Sequence, residues 1–290
     1  MHCIVYIVLR MLLETYSFVP WAPGSYQAAR WLERRYWRCC KVVHRKRHGV
    51  CLELDLGRFI DFEVFYGACF ERALVSAVKP LVKPGMTVVD VGANSGYYTM
   101  LFARLVGEQG HVWAFEPTDW GVRVLERQIS LNSFNNIHLV KTALVASNKP
   151  NDSPIEFDPY YPLFSDRYKH RASSEVVPYT SIDATLVNLT TSVDLIKIDV
   201  DGPELDILRG AIQTIQKFHP IIVLEVGHYT YRRAGSSVDE LVAWLHEQAY
   251  EIFYETDLSL LKTAADVISC MPDPEQNTIN VICIPLTGKR

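Results

Sequence analysis

The sequence predicts an α/β fold with a mainly parallel sheet covered by helices on both faces. Three observations carry this. Short apolar runs alternate with stretches of helical spacing from Thr87 onward. The runs are apolar at consecutive positions, as strands buried on both faces are. The first of them, Thr87–Val91, carries Asp90 near its end and turns through Gly92 and Gly96 into a helix, and the second, His111–Phe115, is closed by Glu116. Such sheets bind ligands at the carboxyl ends of their strands, and a glycine turn with an acidic residue one strand later suits a nucleoside-containing cofactor.

The elements follow in order. Leu52, Leu54 and Leu56, then Ile60, Phe62 and Val64, alternate with polar residues around Gly57-Arg58, which predicts a β-hairpin. Glu71 to Val82 has helical spacing and stops at Lys83-Pro84-Gly85. Strand Thr87–Val91 leads to a helix over 95–106, and strand His111–Phe115 to a helix over 120–131 with Asp119 as its N-cap. Ile137–Val140 and 193–200 read as strands, and 203–218 as a helix with Pro203 in its first turn. Strand 220–226, helix 238–248 and strands 251–254 and 280–284 complete the pattern. The chain has 290 residues, enough for one large domain with an extension. We divide it into an N-terminal extension at 1–66 (helical, basic, then hairpin) and a catalytic domain at 67–290, with an insert at 147–180.

Composition removes several classes. With 49% hydrophobic and 21% charged residues the chain has material for a core and is not intrinsically disordered. Its seven cysteines include no C-x-x-C pair, which argues against a disulfide framework or zinc site and fits a reducing cytosol. Residues 30–48 hold eight Arg and Lys against Glu33 alone. Trp31, Tyr36 and Trp37 among them either stack on bases or form one solvated face of a packed helix. The apolar run Cys3–Leu9 is shorter than the ~20 residues that span a bilayer. It reads as a helix packed on the domain or as an interfacial anchor followed by a basic stretch on anionic lipid. The expected location is cytoplasmic, with peripheral membrane contact through residues 1–48 as the variant.

At the first strand end, Gly92 and Gly96 allow positive φ and close approach of a ligand. The spacing Gly92-Ala93-Asn94-Ser95-Gly96 is not the dinucleotide pattern and lacks a phosphate-loop lysine. Glu116 is placed to accept both ribose hydroxyls. In Asp194–Glu204, Lys197 and Asp199 share a strand face, and a lysine in an apolar strand needs a partner, for which Asp199 or another carboxylate near the sheet is the candidate. Asp201 and Glu204 fall at the next helix start, where they favour the helix dipole or, less simply, a hard cation. No metal ligand set is assigned. Glu225 emerges at the same sheet edge as Asp199, and His228 follows it.

The ordered motifs Val89-Asp90-Val91-Gly92-Ala93-Asn94-Ser95-Gly96-Tyr97-Tyr98-Thr99, Ala114-Phe115-Glu116-Pro117, Asp194–Leu205, Leu208-Arg209-Gly210-Ala211 and Pro220–Glu225 resemble the FkbM-type methyltransferase family. The likeness covers about residues 70–226. It implies a Rossmann-like seven-stranded methyltransferase sheet whose last strand is antiparallel, S-adenosylmethionine as cofactor, and O-methylation of a sugar, glycolipid, polyketide-like or other small hydroxylated acceptor. By the same resemblance Gly92, Ala93, Asn94 and Gly96 wrap the methionine moiety, and Asp90 orients that loop. Glu116 holds the ribose, Thr142 and Ala143 border the adenine, and Tyr97 and Tyr98 meet the methionine part or wall off the methyl group. Asp199 is the first candidate for acceptor positioning or base and Glu225 the second, with Lys197 keeping Asp199 ionised. The family often has Glu where Asp201 stands and His or Ala where Pro203 stands; Asp201 keeps the charge. The insert, with Tyr160, Tyr161, Phe164, Tyr168 and Tyr179, is an acceptor lid or a plain loop.

Two rivals remain at this point. One is a non-catalytic binding protein on the same fold, attached to membrane or nucleic acid through residues 30–48, although nucleic acid is not the expected partner. The other is a metal-dependent catechol-type enzyme, which lacks the Asp-Asn pair it would need after Glu225. The oligomeric state has no signature in the sequence.

Overall fold

The computed structural model describes residues 42–67, 69–146, 155–157, 175–186 and 191–286. The expectations for residues 1–41, and for most of the insert, lie outside them.

The extension contains a hairpin, but not the one expected. Strands β1 (Val42–Arg47) and β2 (Val50–Asp55) pair antiparallel. The turn is His48-Gly49, both left-handed with φ of 49° and 84°, the conformation a two-residue hairpin turn requires. The anticipated second arm after Gly57-Arg58 is instead helix α1 (Phe59–Gly67), which buries Phe62, Phe65 and Tyr66 at helical spacing. The chain turns there because Asp55 accepts the Gly57 N–H (2.9 Å) and the buried Asp61 accepts the Asp55 N–H (2.9 Å). Apolar residues at every second position fit both patterns for these few residues, so alternation alone misread a helix.

The remaining elements are α2 (Arg72–Val78), β3 (Thr87–Val91), α3 (Tyr97–Val106), β4 (His111–Phe115), α4 (Asp119–Asn132), β5 (Ile137–Val140), β6 (Ala143–Leu144), β7 (Ile155–Phe157), β8 (Glu175–Val177), β9 (Tyr179–Thr180) and α5 (Ile182–Leu186). They continue with β10 (Leu195–Ile198), α6 (Glu204–Arg209), α7 (Ile212–Phe218), β11 (Ile221–Val226), α8 (His228–Arg233), α9 (Val238–Glu247), β12 (Tyr250–Tyr254), β13 (Leu260–Leu261), α10 (Ala264–Ser269) and β14 (Ile279–Pro285). Helix α4 is capped by Thr118, whose Oγ1 accepts the Gly121 N–H (3.0 Å), rather than by Asp119. The single helix expected over 203–218 is two, α6 and α7. They part at Gly210, where a Cβ would lie 2.2 Å from the Val145 carbonyl oxygen.

The main sheet runs β13-β12-β14-β11-β10-β3-β4-β5. Strands β3, β4, β5, β10 and β11 are parallel, and β14 is antiparallel to both β11 and β12. This is the seven-stranded sheet with an antiparallel last strand, plus β13 as a two-residue edge on β12. The order reverses between β3 and β10, so a ligand crevice belongs at their carboxyl ends. Val88, Leu195, Val223 and Ile282 pack on one sheet face with the hairpin and α1 to α3. Val89, Ile196, Ile222 and Cys283 pack on the other with α6, α7 and α9. Among the described residues no helix is long and apolar enough to cross a membrane.

Candidate active site

The β3–α3 turn is stitched to the end of β4. The Gly92 and Ala93 N–H groups both donate to the Phe115 carbonyl (3.0 and 3.1 Å). Asn94, left-handed at φ 51°, donates its N–H to Glu116 Oε2 (2.9 Å). Glu116 Oε1 accepts the N–H (3.0 Å) and hydroxyl of Thr118. Burial pushes the Glu116 carboxyl upward, and the bonds from Thr118 and Asn94 pull it back. Helix α4 approaches this carboxyl so closely that a Cβ on Gly121 would lie 2.5 Å from Glu116 Cδ. Glu116 therefore shapes the glycine turn and also closes the strand next to it. Asp61 hydrogen-bonds Ser95 of the same turn, so the N-terminal module supports it from below.

Asp90 is fully buried. Its Oδ2 accepts the Thr99 hydroxyl (2.6 Å), which locks β3 to α3, while Oδ1 meets no donor. An orphaned buried oxygen is costly. Here it lies two residues before the left-handed Gly92, with Glu116 just past the end of the neighbouring strand β4. This set of acceptors fits a ligand rich in N–H and O–H groups, as a nucleoside with an ammonium tail is.

Three expected cofactor contacts are otherwise engaged. The Tyr97 hydroxyl donates to Cys69 Sγ (3.3 Å), accepts the Phe70 N–H (3.3 Å) and bonds His48 Nε2 (3.0 Å), so it anchors α3 to the extension. The Thr142 hydroxyl and the Ala143 N–H both donate to the Pro178 carbonyl (3.0 and 2.9 Å), which joins β6 to β9. These two residues do stand just past β5, at the expected edge.

A polar row occupies the edge of the hairpin-side face. Strand register places Asp90 beside Lys197 and Glu225 beside Asn280 on this face, with Asp199 two residues beyond Lys197. Lys197, almost fully buried, donates to Asp199 Oδ2 (2.7 Å) and lies 4.5 Å above the Tyr98 ring. Burial alone would lower its pKa, but the carboxylates of Asp199, Asp90 and Glu71 raise it above its ordinary value. Asp199 is 27% exposed. Burial pushes its carboxyl up, yet Lys197 and a hydrogen bond from Glu225 hold it below the usual range.

Glu225 behaves differently. It accepts the Thr278 hydroxyl (2.6 Å), and burial with the charges of Asp199 and Asp201 pushes it well above the carboxylate range. Burial and these neighbouring charges therefore disfavour the charged form of Glu225, the second candidate base of the sequence analysis. Asp201 sits at φ 62°, pushed up to about 7 by burial and by Asp199.

Sequence reasoning missed Glu71 and Asn280. Glu71 accepts the Tyr98 hydroxyl (2.8 Å) and the Asn280 side-chain amide (3.0 Å), closing the row from α2. No local pattern announces this contact, because its partners lie on α3 and on the last strand. His228 is outside the row, 3.8 Å from Glu275. Among the described residues no three His, Cys, Asp or Glu side chains are grouped as a metal site.

The chain is similar to known methyltransferases. The family model described as the methyltransferase FkbM domain matches residues 90–252, from the buried aspartate of β3 to the middle of β12. Methyltransferase sdnD of Sordaria araneosa is 24% identical over 226 residues, which is 67% of this chain and 82% of that protein. Methyltransferase 1 of Beauveria bassiana is 24% identical over 175 residues, 52% of this chain and 66% of that one. The crystal structure of an FkbM methyltransferase from Methylobacillus flagellatus superposes with a TM-score of 0.46 and 16% identity, covering 75% of this chain and 49% of that one. The match of the family model spans more than half of the sequence, including both strand ends that carry the glycine turn and the polar row, and the chain belongs to the FkbM family of S-adenosylmethionine-dependent methyltransferases.

Proposed function

We propose that this protein O-methylates a small hydroxylated acceptor, of the sugar or polyketide-like kind, and that the acceptor hydroxyl is held by Asp199. The observation that carries this is the Lys197–Asp199 pair at the carboxyl end of β10, next to the turn that receives the cofactor. S-adenosylmethionine supplies an electrophilic methyl group on a sulfonium. The residues that would hold it are Asp90, the Gly92–Gly96 turn and Glu116. The work left to the protein is to align the hydroxyl with that methyl and to exclude water.

Asp199 is suited to alignment. A carboxylate stabilised by an ammonium at 2.7 Å stays ionised across the neutral range. It accepts a hydroxyl hydrogen bond strongly but is a weak base. Asp199→Asn is expected to lower kcat by about 10²–10⁴-fold while S-adenosylhomocysteine affinity stays within a few-fold. Titration calorimetry on the variant checks this; loss of binding itself would place Asp199 in the cofactor site. The donor is tested by thermal shift, in which S-adenosylhomocysteine should stabilise the protein and NAD and ATP should not.

The membrane or nucleic-acid attachment considered for the basic segment rests on residues 30–48, of which only 42–48 are among the described ones. Nothing in the described site favours it over catalysis.

A further inference from the structure

We propose that Asp201 is the proton acceptor of the reaction, a carboxylate kept free of protein hydrogen bonds in a left-handed turn while Asp199 is tied to Lys197. This rests on the hydroxyl-acceptor reading above and adds the residue that takes the proton.

The turn Val200–Pro203 is built to present Asp201. Asp201 has φ 62° and Gly202 φ 136°, and a non-glycine residue there is strained unless its surroundings impose it. They do. The fully buried Glu204 accepts the Val200 N–H (3.2 Å) and, with both carboxyl oxygens, the Gly202 N–H (3.0 Å each). A Cβ at Gly202 would lie 2.7 Å from the Thr230 carbonyl oxygen, so the turn is pressed against α8. Glu204 thereby uses its oxygens on the backbone, beside a half-buried Asp201. No hydrogen bond to the Asp201 carboxyl forms among the described residues. The groups facing it are Lys197 and Asp199 from β10 and its end, Glu225 from β11 and Tyr229 from α8.

The two aspartates have opposed environments. Lys197 stabilises the charge on Asp199, whereas burial and the Asp199 charge disfavour it on Asp201 and push that carboxyl up to about 7. Two neighbouring carboxyls driven apart in this way divide into a permanently ionised group and a titrating one, and a base is most useful when its pKa lies near the working pH. In the step itself, the acceptor oxygen bonds to the methyl carbon as the carbon–sulfur bond breaks, with that electron pair staying on sulfur. The hydroxyl proton passes to Asp201, which later releases it to water.

The test uses the full-length protein labelled with ¹³C at aspartate Cγ and saturated with S-adenosylhomocysteine, titrated by NMR from pH 4 to pH 9. Asp201→Asn is the variant, because Asn accepts left-handed φ readily. The resonance missing from the variant should titrate near neutrality in the wild type. One that titrates in the ordinary carboxylate range overturns the assignment. Rates on a panel of methyl glycosides (gluco, galacto, manno and rhamno) provide the second readout. Wild-type kcat should climb as pH rises through the neutral range and then level off. Asp201→Asn should lose about 10²-fold or more in kcat, lose that acid limb and keep its affinity for S-adenosylhomocysteine, and Asp201→Glu should restore the limb. A variant that keeps both limb and kcat overturns the proposal. Product NMR separates the two claims. The absence of any O-methyl product from the panel overturns the hydroxyl-acceptor reading, while the carboxyl titration decides Asp201 by itself.

Discussion

Lys197→Met is expected to destabilise the protein by about 3–5 kcal/mol at neutral pH, the effect of removing one member of a buried ion pair. Met has nearly the length of the lysine stem and keeps the contact with the Tyr98 ring, so little packing is lost. What is lost is the cation that sits 2.7 Å from Asp199 and faces the fully buried Asp90. The sign of the pH dependence follows from the same charges. In the wild type the Asp199 carboxyl is held below its unfolded value. Its contribution to stability is therefore present above the unfolded pKa and is lost only as the pH falls through the folded one. In the variant the carboxyl is partly buried without a counter-charge, so its folded pKa lies above the unfolded one. That penalty is absent below the unfolded pKa and grows as pH rises through the folded one. Guanidinium unfolding at pH 5 and pH 8 should show a much larger gap between variant and wild type at pH 8. Equal midpoints at pH 8 would mean that water, not Lys197, compensates Asp199.

This pair was legible in the sequence, because a lysine in the apolar strand Leu195–Ile198 demands a partner and period two puts Asp199 on its face. Strands β3, β4 and β5 were equally plain. They are short and apolar, and glycines, Pro84 and polar turns punctuate them. What the sequence concealed depends on distant contacts. The hairpin slipped because Ile60, Phe62 and Val64 alternate like a strand while Phe62, Phe65 and Tyr66 bury at helical spacing. The His48-Gly49 turn was the better local signal, but β1 buries only Val43 and so offers no apolar pattern to find. Glu71 joins the site only because α2 packs over the sheet end near Tyr98 and Asn280. Glu225 stands where the sequence put it, but the upward push on its carboxyl comes from burial and from Asp199 and Asp201, neighbours that no local pattern announces. The Asp201-Gly202 pair was a visible turn signal, read instead as a helix start.

Gly92→Ala is expected to lose both stability and cofactor binding, because two separate constraints meet at this residue. The first is conformational: φ is 79°, and a left-handed Ala costs roughly 1–2 kcal/mol. The second is space. A Cβ there would lie 2.0 Å from the Asp199 carbonyl oxygen and 3.1 Å from Val200 Cγ1. The 2.0 Å obstacle is backbone at the end of β10, fixed by the Asp199 N–H bond to the Val91 carbonyl (3.1 Å). No side chain can swing away, so β3 and β10 must separate where the sheet order reverses. Overpacking of this kind adds about 1–3 kcal/mol. The same shift would displace Asp199 and pull the Gly92 and Ala93 N–H groups off Phe115. Gly85→Ala provides the control. Its φ is 84° and a Cβ there meets nothing within 4 Å, so it carries the backbone penalty alone and lies outside the site. Denaturant unfolding of the two variants should place Gly92→Ala below Gly85→Ala, and calorimetry should show S-adenosylhomocysteine binding about 10²-fold weaker in Gly92→Ala, near 2.7 kcal/mol, and unchanged in Gly85→Ala. Matching midpoints with intact binding in both would show that the β10 end yields, and that close approach is not why glycine stands at position 92.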